Sequence, residues 1–233
     1  MKPNCLINQP AGLGDILVCL KIAKIYSERG YNVVWPIKDL YLDAVEKHID
    51  ADFVEWHCDS KYSRLAYSAD LILNLDGATS RYPNMGIVDA KYAAAEIYDF
   101  DNWIDYFNLV RDLDKEKELT SLVKDKIKTK KYSLVNNNYG TPPNTLRKNI
   151  IPKTNYDIVE MSLSPKYNIF DWIGVIENAA EIWTVDTCIH YIMDHPSIRL
   201  KAERLEMFSR YEPADFENVV KKVVKNENWN YNN

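Results

Sequence analysis

The strongest constraint on this chain lies in its first 36 residues. A short apolar run, a glycine turn, an amphipathic helix and a second apolar run follow without interruption. Cys5-Leu6-Ile7-Asn8 reads as a strand, and Gln9-Pro10-Ala11-Gly12-Leu13-Gly14 as a turn with two glycines. From Asp15 to Glu28, Ile16, Leu17, Leu20, Ile22, Ala23 and Ile25 recur at helical spacing. Asp15 stands where an N-cap or first-turn acid belongs, and Gly30 where a C-cap glycine belongs. Asn32-Val33-Val34-Trp35-Pro36 is the next strand. Two strands joined by a crossover helix lie parallel, so this opening predicts an α/β chain with a doubly wound parallel sheet.

The alternation continues. Tyr41 to His48 reads as a helix, Phe53 to Glu55 as a strand, Ala69 to Leu75 as a buried strand ending at Asp76-Gly77, and Val88 to Tyr98 as a helix. The charged stretch Asp114 to Lys128 predicts a solvated helix and an interdomain connector. A second series starts with the strand Tyr132 to Asn136 and a polar loop, Asn137 to Lys148. It continues with a strand Asp157 to Met161, a helix Ile169 to Ala179 and a strand Glu181 to Val185. Asp186 to Met193 turns into a helix, Leu205 to Phe208 is a last strand, Phe216 to Lys225 a last helix, and the Asn-rich tail is expected to fray. Two halves are expected, 1–128 and 129–233.

Composition narrows the function classes. A chain of 233 residues buries a sizeable core without a metal or disulfide staple. Its 34 acidic against 29 basic residues, net charge -5, argue against a nucleic-acid surface, while leaving room for a local basic pocket. Cys5, Cys19, Cys58 and Cys188 have spacings that suit neither a zinc site nor a disulfide framework. No apolar run is long enough for a bilayer, and with free thiols this gives a cytoplasmic expectation. The four histidines do not cluster and no group of carboxylates is read as a metal site, so neither metal nor cofactor is expected.

In open α/β sheets ligands collect at the carboxyl ends of strands, and three loops stand out there. Gly12-Leu13-Gly14-Asp15 lets a backbone approach a ligand at a helix start, although a structural turn would look the same. Leu17 replaces the third glycine of a dinucleotide fingerprint, and the second strand ends in Trp35-Pro36-Ile37-Lys38-Asp39 with no ribose-binding acid directly after it. A nicotinamide dehydrogenase is therefore disfavoured. Asp186-Thr187-Cys188-Ile189-His190 follows an apolar strand and can hold a diphosphate, or can be an ordinary helix cap with His190 packed on the helix. The third loop offers Asn137, Asn138 and Thr141, with Arg147 and Lys148 as phosphate partners. Asp76 is a further candidate for acceptor binding, or a turn residue.

Taken together, Gly12-Leu13-Gly14-Asp15-Ile16-Leu17 near the start, and Trp172 to Ala180, Ile182 to Val185 and Asp186-Thr187-Cys188-Ile189-His190 near the end, resemble the heptosyltransferase family (glycosyltransferase family 9). Cys188 stands where that family has a glycine. The resemblance implies two Rossmann-like parallel-sheet halves in a GT-B-like arrangement, with an acceptor side first and a nucleotide-sugar side second. It implies Asp15 as the base on an acceptor hydroxyl, with Gly12, Gly14 and Asp76 in the acceptor-side loops. Asp186, Thr187, His190 and Asn137 would lie at the donor diphosphate, with Arg147 or Lys148 as the cation on it. Asp171 or Glu177 would stand nearest the family's ribose-binding acid. The implied reaction moves a sugar from a nucleoside diphosphate sugar to a glycan or other hydroxyl acceptor, without metal and with inversion. A nucleotide- or sugar-binding module without turnover is the alternative.

Overall fold

The computed structural model describes residues 2–138, 149–210, 224 and 227–232. The chain forms two compact units, Met1–Val110 and Arg111–Asn233.

The first unit holds a four-stranded, all-parallel sheet of β1 (Asn4–Asn8), β2 (Asn32–Ile37), β4 (Val54–Cys58) and β5 (Leu71–Asn74), in the order β4-β2-β1-β5. A small antiparallel pair, β3 (Ile49–Asp50) with β6 (Asn108–Leu109), lies beside it. Helix α1 (Leu13–Glu28) starts two residues before the expected position, so Asp15 lies within its first turn. Residues 16–23 of α1 are all buried, among them Lys21, whose ammonium reaches the Asp101 carbonyl at 2.6 Å and Asp99 at 3.2 Å. A helix enclosed on most of its circumference is apolar on most of its circumference, which explains the dense apolar run. β2 is buried over Val33–Ile37, as a central strand covered on both faces must be. The helices α2 (Asp39–His48), α3 (Tyr62–Tyr67), α4 (Ala78–Arg81) and α5 (Ile87–Ala94) complete the unit. α5 ends four residues before the expected Tyr98: Ala95 closes it and Glu96 takes a positive φ of 54°.

The second unit holds five parallel strands, β7 (Tyr132–Asn136), β8 (Asp157–Glu160), β9 (Glu181–Val185), β10 (Arg204–Phe208) and β11 (Trp229–Asn232), ordered β11-β10-β9-β7-β8. Its helices are α6 (Leu113–Lys124), α7 (Ile173–Asn178) and α8 (Cys188–Met193). The charged segment expected to connect the halves is α6. It packs on α7 and the preceding 3-10 turn at Phe170–Trp172, within the second unit. The division of the chain therefore falls before this helix, at Val110, and not after it at 128. Arg111 binds the α6 carboxylate of Glu116 at 2.5 and 2.9 Å and the α7 carboxylate of Glu177 at 2.8 and 3.1 Å. Gly174 permits the close approach, because a Cβ there would meet Thr120 Oγ1 at 3.0 Å.

The tail expected to fray is strand β11. Trp229 is buried, and Asn232 Nδ2 donates to the Glu206 carboxylate at 2.6 Å and to the Met207 carbonyl at 3.4 Å. The asparagines thus satisfy a buried acid on β10. The last helix expected, Phe216 to Lys225, lies almost wholly outside the described residues.

Candidate functional site

Strand order fixes where each unit can bind a ligand. In the first unit the chain runs from β1 outward to β2 and β4, then returns to the other side of β1 as β5. The order reverses between β1 and β5, and ligands of doubly wound sheets bind at such switch points. The loops leaving these two strands carry Gly12, Asp15 and Asp76. The Asp76 and Leu75 amides both donate to the Asn8 carbonyl, at 2.8 and 3.0 Å, so the two strand ends are tied together. Asp76 itself is exposed.

Gly12 is the residue before α1, with φ +83°, and a Cβ there would lie 2.3 Å from Asp15 Oδ2. Only glycine takes that backbone conformation without strain, and only glycine leaves the Asp15 carboxylate its place. Gly14 sits inside α1 without a positive φ, so the conformational demand falls on Gly12 of the two.

The Asp15 side chain keeps 31% of its surface, and Lys91 Nζ lies 3.6 Å from it. Lys91 comes from α5 and is almost fully buried. Its ammonium also donates to Gln9 Oε1 and to the Leu75 carbonyl at 3.3 Å. A buried ammonium must be paired, and here three oxygens, from the residues just after β1 and β5 and from α1, surround it. The thiol of Cys19 lies in this setting, and burial pushes it up to about 12, with Lys91 pulling it down and Asp15 pushing it up. Lys91 is the residue that the sequence reading missed. Its signal was a lone lysine on the helix face of Val88, Tyr92 and Ala95, all buried.

In the second unit the order reverses between β7 and β9. The residues at those strand ends are Asn136, Asn137, Asn138, Asp186 and Thr187. Asn136 is buried, and its Nδ2 reaches Thr184 Oγ1 at 2.9 Å and Thr187 Oγ1 at 3.4 Å. Asn138 binds Asn136 Oδ1 and the Met161 carbonyl, and Asn137 Oδ1 accepts the Ile150 amide at 3.0 Å. Arg147, Lys148 and Thr141 lie outside the described residues.

Thr187 precedes α8 and makes no side-chain cap bond. Cys188, in place of the family's glycine, is the first residue of α8 and has no positive φ, so no glycine is required there. α8 has six residues, which leaves its N-terminus a smaller dipole than a long helix.

Asp186 and His190, expected at the donor, lie inside the unit instead. Asp186 is 2% exposed, and Arg210 binds its Oδ1 through the backbone N–H at 3.0 Å and Nε at 2.9 Å. Burial pushes the Asp186 carboxyl up to about 6 against the pull of Arg210. His190 is 2% exposed, neither ring nitrogen is hydrogen-bonded among the described residues, and burial lowers it to about 3, helped by Arg210. Asp171 is fully buried, takes the Asn168 amide at 2.8 Å and lies 3.5 Å from Lys115, while Glu177 pairs with Arg111. Both acids proposed for a ribose are committed to the fold.

The His190 environment makes a pH prediction. Unfolded, the imidazole protonates near its ordinary value, whereas in the fold it stays neutral down to about 3. Its contribution to stability is present above about pH 6.5 and is lost as pH falls from there toward 3. Asp186 acts with the opposite sign between about 6 and its unfolded value, but its displacement is smaller. His190→Leu should flatten the fall in melting temperature between pH 7 and pH 4, read by circular dichroism. An unchanged slope would remove His190 from that account.

Among the described residues, Asp39, Cys58 and Asp59 bring ligand atoms within 4.8 Å of one another at the ends of β2 and β4. Neither Asp15 nor Thr187 belongs to that group. A cavity of about 800 Å³ lined by Asp194, His195, Arg199, Arg204, Asn228 and Asn230, among others, opens at the amino ends of β10 and β11. That is the sheet end opposite the switch point. No described helix is long and apolar enough to cross a membrane.

No protein-family model matches the chain, and no curated protein matches it. Solved structures do. A glycosyl transferase family 9 protein from Veillonella parvula superposes with a TM-score of 0.55 at 7% identity, covering 99% of this chain and 86% of that one. ADP-heptose lps heptosyltransferase II of E. coli gives 0.54 at 9% identity, covering 99% and 90%. The iron-containing dodecameric glycosyltransferase TibC of enterotoxigenic E. coli gives 0.50 at 12% identity, covering 88% of this chain and 58% of that one. The chain thus has the two-unit, GT-B-like fold seen in the family 9 glycosyltransferases.

Proposed function

We propose that the chain is a glycosyltransferase that moves a sugar from a nucleoside diphosphate sugar to a hydroxyl acceptor. The observation that carries this reading is a half-exposed carboxylate, Asp15, held beside a buried lysine at the switch point of the first unit. Structural support comes from solved glycosyltransferases of the same fold, one of them named for ADP-heptose.

Asp15 accepts the acceptor's hydroxyl proton as that oxygen bonds to the anomeric carbon. The bond from that carbon to the diphosphate oxygen breaks, and the diphosphate leaves with the electron pair. A single displacement of this kind inverts the anomeric centre. The second unit receives the leaving group at the ends of β7 and β9, where Thr187, Asn137 and backbone amides supply donors. Arg147 and Lys148 are the candidate cations on the diphosphate, in place of a metal. Asp76 serves the acceptor side. The half-exposed Cys58 and Cys188 thiols, neither in a disulfide, suit a reducing, cytoplasmic setting.

The test is diphosphate release from a panel of nucleoside diphosphate sugars with hydroxyl acceptors. Release of one nucleotide coupled to glycoside formation supports the reading. A nucleotide that binds without release from any donor would instead identify a binding module without turnover.

A further inference from the structure

The first sheet ends on one side at β4, which pairs with β2 and with no other strand among the described residues. An edge strand presents a row of unpaired N–H and C=O groups, and proteins guard such edges with charges, proline or a covering segment. Two other edges of this chain carry such guards. On β5 an Arg81 guanidinium N–H donates to the Asn74 carbonyl. On β8 the sequence is Asp157-Ile158-Val159-Glu160, so a second copy pairing antiparallel there would set Asp157 against Glu160. Like charges directly opposite each other destabilise a strand pair.

β4 has the reverse pattern. It reads Val54-Glu55-Trp56-His57-Cys58, with neither proline nor lysine. Laid antiparallel on a second copy with Trp56 opposite Trp56, it sets Glu55 of each copy opposite His57 of the other, and Val54 opposite Cys58. Strand alternation then gathers both acid–imidazole pairs on one face and the tryptophans on the other. Within one chain His57 Nε2 already lies 2.9 Å from Glu55 Oε1, and Glu55 keeps 55% of its side-chain surface for a further partner. On the opposite face Trp56 packs on Trp35, with ring centroids 5.2 Å apart, and Val54, Trp56 and Cys58 are only half-buried. A second copy would cover that apolar surface.

We infer that β4 is an interface between two copies of this chain, paired antiparallel about a two-fold axis at Trp56, which joins two four-stranded sheets into one continuous sheet. The occupant is a second copy because the strand is its own complement in charge and in apolar pattern. An antiparallel strand on an otherwise parallel sheet is an ordinary arrangement, and a two-fold contact closes on itself at two copies. The inference is independent of the glycosyl-transfer reading.

The experiment is sedimentation equilibrium of the full chain across the micromolar range, with His57→Glu and the exchanged variant Glu55→His/His57→Glu, each checked for its fold by circular dichroism. Wild type should show a reversible monomer–dimer equilibrium. His57→Glu turns two favourable cross-strand pairs into two repulsive ones, so the dimer should weaken by about tenfold or more. The exchanged variant restores an acid opposite an imidazole and should regain the dimer. Wild type that stays monomeric, a dimer indifferent to His57→Glu, or a loss that the exchange does not restore would each overturn the inference. If His57→Glu does not fold, Val54→Cys decides, because it places a thiol opposite Cys58 of the second copy. Oxidation with diamide should then link two chains in Val54→Cys and not in Val54→Cys/Cys58→Ser. Equal linkage in both would overturn the inference.

Discussion

Asp15→Asn should leave nucleotide binding unchanged and lower the rate of glycosyl transfer by about 10²- to 10⁴-fold, the range of a positioned general base. The amide keeps the shape of the carboxylate at the start of α1 but cannot take a proton from an acceptor hydroxyl. Lys91→Met should lower the rate as well, for a different reason. It leaves the Asp15 carboxylate, Gln9 Oε1 and the Leu75 carbonyl without the ammonium they share. Hydrogen bonds from a charged donor contribute about 1.5–3 kcal/mol each, so this variant should also melt earlier, whereas Asp15→Asn keeps an amide oxygen facing the ammonium and should melt closer to the wild type. Initial rates, nucleotide dissociation constants and melting curves of the two variants separate these effects. An Asp15→Asn enzyme at full rate would reduce Asp15 to an acid that complements the dipole of α1.

Asp186→Ala should act on stability before it acts on binding. Asp186 and Arg210 form a buried pair with bonds at 2.9 and 3.0 Å, and removing the carboxylate takes away the oxygen on which the Arg210 backbone N–H and Nε converge. Breaking one side of such a pair costs about 3–5 kcal/mol. For a protein of this size that lowers the melting temperature on the order of 10 °C. A residue that touched the donor would instead weaken nucleotide affinity at an unchanged melting temperature. Thermal denaturation alongside titration distinguishes the two, and the second pattern would return Asp186 to the ligand.

The parallel α/β architecture was legible because its signal is local. Strand–turn–helix units with apolar runs at Cys5–Asn8, Tyr132–Asn136 and Glu181–Val185 fall where the structure has strands. Element boundaries shifted, as when α1 begins at Leu13 because Gly12 makes the turn. β11 was hidden because half of its residues are asparagine, and its pairing depends on Glu206, over twenty residues away on β10. At the candidate site, Gly12 and Asp15 could be read from the turn they build. Lys91 could not be assigned, because its partners come from the residues just after β1 and β5 and from α1, brought together only by the fold. Asp186 and His190 show the reverse. Their spacing looked like a ligand loop, but Arg210 turns the aspartate inward, and nothing local in the sequence announces that.

The central claim is that nucleotide chemistry takes place at the carboxyl ends of β7 and β9. A crystal structure of the chain with a bound nucleoside diphosphate tests it most directly. The account predicts the diphosphate within hydrogen-bond distance of Thr187 Oγ1 and the backbone after Asn136. A nucleotide seated instead in the cavity beside Arg199 and Arg204, at the other end of the sheet, would contradict it.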